Sequence, residues 1–110
     1  MPGKFVVNKG KDGQDYFVLK ASNSQVILQS EGYKTRKACA AGIESVRKNS
    51  QVEKRFECRT AKNGKAYFVL KATNGQEIGR SQMYSSESGC KNGIKSVATN
   101  APGAAVVLPD

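Results

Sequence analysis

The sequence predicts an α+β fold in which two tandem β(3)-α-β repeats build one sheet. Residues 5–50 align with residues 56–101 at a constant offset of 51 and without a gap, and 20 of the 46 aligned pairs are identical. In both copies the apolar period changes from two, typical of strands, to about 3.6, typical of a helix. A unit of about 50 residues is near the lower limit for a core of its own. We therefore expect one domain with a pseudo-two-fold axis, made of repeat one at 4–54 and repeat two at 55–108.

Three strands should open each copy. Residues 12–13 are Asp-Gly and residues 63–64 are Asn-Gly, and such pairs tolerate the positive φ angles of a tight hairpin turn. A second turn, at residues 23–24 and 74–75, leads into a third strand. The positions that stay apolar in both copies should face the core, and they are Phe5, Phe17, Leu19, Ala21 and Ile27 with Phe56, Phe68, Leu70, Ala72 and Ile78. The opposite face of the sheet is expected to meet solvent.

One amphipathic helix follows in each copy. Apolar residues recur at i, i+4 and i+7, namely Cys39, Ile43 and Val46 in copy one and Cys90, Ile94 and Val97 in copy two. Thr35 and Ser86 are the expected N-caps. Asn49 and Asn100 suit the C-terminal ends, where a left-handed residue is needed.

Gly42 and Gly93 lie inside these helices, where glycine costs roughly 1 kcal/mol relative to alanine. Both copies keep the glycine, so we expect each helix to cross the sheet so closely that a Cβ atom would clash. The junction of the copies, residues 51–60, contains no Gly or Pro and alternates apolar with charged residues. This pattern predicts one long strand that ends repeat one and begins repeat two, and residues 104–108 should supply the matching last strand after a break at Pro102.

These segments resemble a known family. The run 13–21, with Asn23, Ile27 and Tyr33, and the helix segment 41–49 resemble the repeated domain of the YegP-like proteins. The resemblance covers nearly the whole chain, twice. It implies that the paired units form a single sheet by exchanging their last strands. We expect this sheet to be mostly antiparallel, with both helices on one face. Because the family is uncharacterised, the resemblance implies no catalytic motif.

The chain is strongly basic. Eighteen Lys and Arg against nine Asp and Glu leave a net charge of +9, distributed as +5 in residues 1–50 (nine basic, four acidic) and +4 in residues 51–110 (nine basic, five acidic). This excess fits a polyanionic partner such as nucleic acid as well as it fits a merely cationic surface. No apolar run is long enough to span a membrane, and the first residues lack a secretory signal. We expect a cytoplasmic, bacterial-type monomer without a membrane partner.

Catalysis has little support in the sequence. There is no histidine, the residue used most for proton transfer near neutral pH and the commonest metal ligand. None of the nine acids has an acidic counterpart in the other copy. Cys39 and Cys90 share one apolar helix position and should be buried, and Cys58 shares the strand face of Phe56. We therefore expect no enzyme, no cofactor and no metal site.

Two groups of residues are candidate ligand sites. The first is the sheet face opposite the helices, where we place Tyr16, Lys20, Arg55, Arg59, Tyr67 and Lys71. Single-strand binding proteins use aromatic rings beside cations on an open sheet to stack bases and hold phosphates. An ordinary solvated sheet or a dimer contact is the alternative interpretation. The second group is Lys34, Arg36 and Lys37 at the start of the first helix, where cations act against the helix dipole and so suggest an anion contact.

Two functions follow from these patterns. The first is a non-enzymatic module that binds RNA or single-stranded DNA through the basic, Tyr-bearing sheet face. The alternative is a protein-interaction or assembly module without a nucleic-acid ligand. It would use an exposed strand edge or the apolar part of the open face at Val26 and Leu28, since sheet edges accept additional strands unless they are protected.

Overall fold

The computed structural model describes residues 3–109. The elements follow in the order β1 (Lys4–Lys9), β2 (Asp15–Lys20), β3 (Val26–Gln29), α1 (Arg36–Asn49), a short 3-10 helix (Glu53–Arg55), β4 (Phe56–Thr60), β5 (Ala66–Lys71), β6 (Glu77–Arg80), α2 (Glu87–Asn100) and β7 (Ala105–Val107). The predicted tandem arrangement and the α+β class are confirmed.

All seven strands of the described chain form one sheet in the order β4-β5-β6-β3-β2-β1-β7. Its neighbouring strands are antiparallel except β1 and β7, which are parallel. The two repeats meet at the centre of the sheet, where Gln29 of β3 pairs with Arg80 of β6. Both helices contribute to a single core cluster with the same sheet face. The opposite face, called the open face below, is the one predicted to meet solvent.

Packing is repeated between the copies. The ring of Phe17 lies edge-on to Phe5 at 5.7 Å and stacks on Tyr33 at 6.1 Å. In repeat two, Phe68 makes the same contacts with Phe56 and Tyr84 at 5.7 and 6.3 Å. Aromatic pairs at these distances add to the free energy gained from burial. Because the aromatic residues have the same spacing in both copies, each repeat forms the same cluster of three rings.

The close approach predicted at the helix glycines is confirmed. A Cβ atom on Gly42 would lie 2.3 Å from the hydroxyl oxygen of Tyr33 and 3.2 Å from Phe17. A Cβ atom on Gly93 would lie 2.3 Å from the hydroxyl oxygen of Tyr84. The added Cβ atom would therefore clash mainly with the tyrosine that precedes each helix. This tyrosine packs beneath the helix.

The helices begin at the predicted caps and end at the predicted Asn49 and Asn100, but the backbone conformation at these ends differs from the prediction. Thr35 accepts a hydrogen bond from the amide of Ala38 at 3.0 Å, and Ser86 accepts one from Gly89 at 3.1 Å. The predicted left-handed conformation is wrong, because neither Asn49 nor Asn100 has a positive φ and the residue after Asn49 is also right-handed, with a φ of −64°. The side-chain amide of Asn49 instead donates to the Ser45 carbonyl at 2.8 Å and secures the last turn.

Leu28 lies in the core rather than on the open face. It is fully buried, and a Cβ atom on the neighbouring Gly79 would lie 2.8 Å from its Cγ atom. Leu28 therefore fills the space that its counterpart Gly79 leaves empty. The prediction that Leu28 adds to an exposed apolar patch is wrong, since the strand irregularity after Leu19 turns it inward.

The junction between the repeats also differs from the prediction. Residues 51–55 are not a strand, and β4 begins only at Phe56. At the offset of 51, residues 54–56 correspond to β7 while residues 55–60 correspond to β1. If the second end of the sheet repeated the β7–β1 pairing, residues 54–56 would have to pair in parallel with residues 55–60. This is impossible, because the two segments overlap and parallel strands need a connection of about a dozen residues or more. Consequently the last strand crosses to the other repeat at one end only, where β7 joins β1.

Candidate functional site

The repeat-two half of the open face carries a closed network of ion pairs. Arg59 donates to Glu57 and, at 2.7 Å, to Glu77. Lys71 contacts Glu57 at 3.0 Å, and Arg80 contacts Glu77 at 3.3 Å. Hydrogen bonds from Arg59 first, and from Lys71 second, hold the pKa of Glu57 below its ordinary value. The predicted ligand residues Arg59 and Lys71 are therefore already paired with carboxylates.

Tyr67 has a cation of its own on this half of the face. The guanidinium carbon of Arg80 lies 5.5 Å from the centroid of the Tyr67 ring. Val69, whose strand partners are Glu57 and Arg80, is fully buried although it points to the open face. The charged side chains thus cover the apolar floor of repeat two, and the Tyr67 ring is not a free stacking platform.

The repeat-one half of the open face is different. Tyr16 donates a hydrogen bond of 2.6 Å to Asp12, and this bond raises the pKa of the Tyr16 hydroxyl. Lys20 is half-buried and has no ion-pair partner among residues 3–109. Val18 lies between them and is half-buried. Of the six predicted face residues, only Tyr16 and Lys20 lie on this half.

Arg55 does not belong to the strand on which the prediction placed it. It lies in the 3-10 helix before β4. Its Nε atom is buried and has no hydrogen-bond partner in the described part of the chain. The structure therefore divides the predicted six-residue face into two small groups and one residue at the sheet edge.

The basic cluster at the start of α1 is partly structural. Arg36 contacts the carboxylate of Asp15 at 3.4 Å, and the Asp15 side chain is only 5% exposed. Arg36 therefore has the internal partner that the sequence did not reveal. Lys34 and Lys37 are exposed beside it, and these two remain the cations of the cluster that face solvent.

The sequence did not predict the groove beside β4. Its volume is about 650 Å³, and its lining includes Phe56 and Cys58 from β4 with Ile94 and Ala98 from α2. No strand of the described residues pairs with the outer edge of β4. We call this concavity, with the free edge of β4, the edge groove.

The same place in repeat one is filled. There β7 pairs with β1, with Val106 opposite Phe5, and Phe5, Val7 and Ile43 are at most 1% exposed. In repeat two, Phe56 and Ile94 are only half-buried. The difference is caused by the missing strand, because the corresponding main chain has been used to connect the repeats.

The rim of the edge groove is charged. Lys91 and Lys95 of α2 and Glu53 of the 3-10 helix lie along it. Lys91 makes a weak exposed pair with Glu87 at 3.5 Å, whereas Lys95 has no ion-pair partner between residues 3 and 109. Repeat one carries Glu44 where repeat two carries Lys95. The positive charge of Lys95 at the rim is therefore present only in repeat two.

The described residues contain neither a candidate metal site nor a membrane-spanning helix. Between residues 3 and 109, no group of three or more His, Cys, Asp or Glu is placed to hold a metal ion. Neither the length nor the hydropathy of any helix between residues 3 and 109 would allow it to span a bilayer. Cys39 and Cys90 are fully buried as predicted, whereas Cys58 is exposed in the edge groove.

Comparison with known proteins identifies the family. The profile of the domain of unknown function DUF1508 matches the chain twice, over residues 11–57 and 61–107. The UPF0339 protein PM0519 of Pasteurella multocida is 57% identical over 108 residues, which are 98% of this chain and 93% of that protein. The chain belongs to the YegP (UPF0339) family. The family resemblance found in the sequence is therefore confirmed.

Two solved structures of the YegP family have the same fold. The solution NMR structure of YegP from Escherichia coli, a protein of unknown function, has a TM-score of 0.93 and 47% identity, and covers 98% of this chain and 93% of that chain. The UPF0339 protein SO3888 from Shewanella oneidensis has a TM-score of 0.91 and 47% identity, with coverage of 98% and 92%. These two relatives confirm the fold of this YegP family member.

Proposed function

We propose that this protein is a protein-interaction module that binds an extended segment of a partner as an added strand on the outer edge of β4. The observation that supports this most strongly is the edge groove itself, which is vacant in repeat two and filled by β7 in repeat one. Strand addition supplies main-chain hydrogen bonds for affinity and pockets for alternate side chains for specificity.

Repeat one supplies the template for the direction and register of the bound segment. Val106 lies opposite Phe5 in a parallel pair. At the offset of 51, the bound segment would run parallel to β4 with a residue opposite Phe56. Because side chains alternate along a strand, every second residue of the segment would then enter the groove above Phe56 and Ile94.

The lining of the groove indicates the chemistry of the partner. Its floor is apolar, and Ala98 stands where repeat one has Arg47, whose guanidinium lies over Phe5. The smaller side chain leaves room in the groove for a large apolar side chain of the partner. Lys91 and Lys95 on the rim, together with a net charge of +9, favour acidic residues in the partner. The proposed ligand is thus an extended segment that alternates apolar with acidic residues.

A second copy of this chain is a poorer occupant. Each chain has one β7 and two equivalent positions for it, beside β1 and beside β4. If a copy placed its β7 beside β4 of another copy, the position beside its own β1 would be left empty. Such an exchange would therefore fill no additional position. Direct pairing of two β4 edges would bring together two chains of charge +9, which repel each other.

The test is an NMR titration of the labelled protein with a short synthetic peptide in which valine or leucine alternates with glutamate. We expect saturable shift changes confined to β4 and α2. A peptide of the same composition in scrambled order is the matched control and should bind at least about tenfold more weakly, which corresponds to about 1.4 kcal/mol.

Two variants sharpen this experiment. Ile94→Glu places a charge in the groove and should abolish binding, whereas Val18→Glu on the open face should leave binding unchanged. Equal binding of both peptides, or an unaffected Ile94→Glu variant, would contradict the proposal. Dimerisation of the protein alone through β4, detected by sedimentation at micromolar concentration, would also overturn it in favour of self-assembly.

A second function, weak binding of RNA or single-stranded DNA, is favoured by one specific observation. Lys20, Lys34 and Lys37 have no carboxylate partner in the described range 3–109, in contrast to Arg59 and Lys71 on the repeat-two half of the open face. Such unpaired charges contact phosphates with the release of counterions. We propose that these lysines of repeat one contribute to a polyanion contact that is separate from the edge groove.

Fluorescence anisotropy with a labelled mixed-sequence oligonucleotide tests this second function. Binding should weaken steeply between about 50 and 200 mM salt. The triple variant Lys20→Gln, Lys34→Gln and Lys37→Gln should lose most of the affinity, whereas Lys71→Gln, which removes a cation already paired with Glu57, should lose little. Binding that is absent at low salt, or equal in both variants, would exclude the contact.

A further inference from the structure

Repeat two contains a pair of thiols that repeat one lacks. The sulfur of Cys58 in β4 lies 3.1 Å from the sulfur of Cys90 in α2. The corresponding positions in repeat one are Val7 and Cys39, so a facing thiol pair exists in only one repeat of the described chain. Formation of a disulfide would require the two sulfurs to approach by about 1 Å, to the usual bond length of about 2.05 Å.

We propose that Cys58 is a site of reversible thiol modification by small-molecule disulfides, and that Cys90 resolves the modified form into a Cys58–Cys90 disulfide. In the first step the Cys58 thiolate attacks one sulfur of a disulfide such as glutathione disulfide. A bond forms between Cys58 and one glutathione, and the other glutathione leaves as thiolate and takes up a proton. In the second step Cys90 loses its proton and attacks the Cys58 sulfur, which expels the second glutathione thiol.

The reaction balances without a further oxidant. Two protein thiols and one glutathione disulfide become one protein disulfide and two glutathione thiols, so that the protein is oxidised by two electrons and the small disulfide is reduced by two. The same exchange in reverse, with excess reduced glutathione, restores the thiols.

Exposure assigns the order of the two steps. Cys58 is exposed in the edge groove, where a solute can reach it, whereas Cys90 is fully buried. Burial, and next the hydrogen bond with Cys58, raise the pKa of the Cys90 thiol to about 12, which keeps it protonated while Cys58 is reduced; the mixed disulfide at Cys58 removes the second of these causes, so that Cys90 loses its proton more easily in the second step. Cys39 is buried in repeat one, where Val7 replaces a partner thiol, and it should not react.

The disulfide would join β4 to α2 at the floor of the edge groove. It would close a loop that contains β5 and β6, and so restrict the unfolded chain more strongly than the folded one. The proposal does not depend on the proposed strand addition, because its test requires no peptide and no partner.

The experiment treats the full-length reduced protein with glutathione disulfide and follows it by mass spectrometry. We expect the wild type to lose two hydrogens and to give a proteolytic fragment that links the peptides of Cys58 and Cys90, with a raised melting temperature that dithiothreitol reverses. The variant Cys90→Ser should stop at one bound glutathione on Cys58, and Cys90→Ala serves as a second variant if serine in this buried position prevents folding. The variant Cys39→Ser should behave as the wild type.

Two results would overturn the proposal. One is a wild type that retains bound glutathione at Cys58 without losing two hydrogens, since Cys90 would then not resolve it. The other is a Cys58→Ser variant that reacts as fast as the wild type, since the modified thiol would then lie elsewhere.

Discussion

The guanidinium of Arg47 lies over the ring of Phe5, with its Cζ atom 5.6 Å from the ring centroid, and donates a hydrogen bond of 2.6 Å to the carbonyl of Ala104. One side chain of α1 therefore covers the first strand of its own repeat and holds the residue that precedes β7. Ala98 occupies the corresponding position in repeat two. The end of the sheet at β1 thus has the added strand β7 and the covering side chain of Arg47. The end at β4 has neither.

Replacement of Arg47 should loosen β7. The variant Arg47→Ala removes both contacts and leaves the Ala104 carbonyl without its donor, so we expect the free energy of unfolding to fall by about 1–3 kcal/mol. Its exposed pair with Glu44 should contribute little. Amide hydrogen exchange should accelerate in Ala105–Val107 more than in β5. Lys48→Ala, at an exposed neighbouring position, is the control, and equal effects of the two variants would show that Arg47 does not hold β7.

The helix glycines give a second prediction. Gly42→Ala gains roughly 1 kcal/mol of helix propensity but must displace the Tyr33 ring, so we expect a net loss of about 1–3 kcal/mol from overpacking. Gly89→Ala in α2 is the matched control, because its Cβ atom would meet Tyr84 at an ordinary 3.4 Å. Chemical denaturation should show destabilisation for the first variant and a gain for the second. A stabilised Gly42→Ala variant would refute the close-approach explanation.

The acid side of the stability profile should depend on Glu57 and Glu77. Hydrogen bonds from Arg59 are the largest cause that lowers the pKa of each carboxyl below its ordinary value of 4.5. Because the folded pKa is depressed, this stabilisation is present above pH 4.5 and is lost as the pH falls through the lower folded value. NMR titration should therefore give both pKa values below 4.5.

A charge-matched pair of variants isolates the cause. Arg59→Gln should raise both glutamate pKa values, whereas Lys65→Gln, which removes one exposed cation outside the network, should leave them nearly unchanged. Similar shifts in both variants would mean that the net charge of the protein sets these values and that the hydrogen bonds do not.

The sequence predicted those features that local chemistry determines. The hairpin glycines Gly13 and Gly64 have φ angles of 81° and 83°, as predicted, but the residues before them do not have positive φ angles, so each loop is a type I turn followed by a left-handed glycine rather than a two-residue turn. The caps Thr35 and Ser86 and the core face could be found because the two copies can be compared position by position. The duplication acted as an internal alignment that separated core positions from surface positions.

The features that the sequence did not predict depend on connectivity and on distant pairs. Alternation over residues 51–60 suggested a continuous strand, but the chain cannot pair in parallel with the segment that it enters. Arg36 of α1 pairs with Asp15 of β2, and Arg59 pairs with Glu77 of β6 as well as with Glu57 of its own strand. The two pairings between different elements are not apparent from composition. One signal for the edge groove was available, since at the offset of 51 residues 55–56 had to serve as both a last and a first strand.

The most direct test of strand addition is amide hydrogen exchange at β4, measured with and without the alternating valine/leucine–glutamate peptide. We predict that the amides of Phe56–Thr60 that point away from β5 exchange rapidly in the free protein and become protected when the peptide binds, while the amides of β1, already flanked by β2 and β7, do not change. Unaltered exchange at β4 in the presence of bound peptide, or protection that appears on the open face or at the start of α1 instead, would contradict the account.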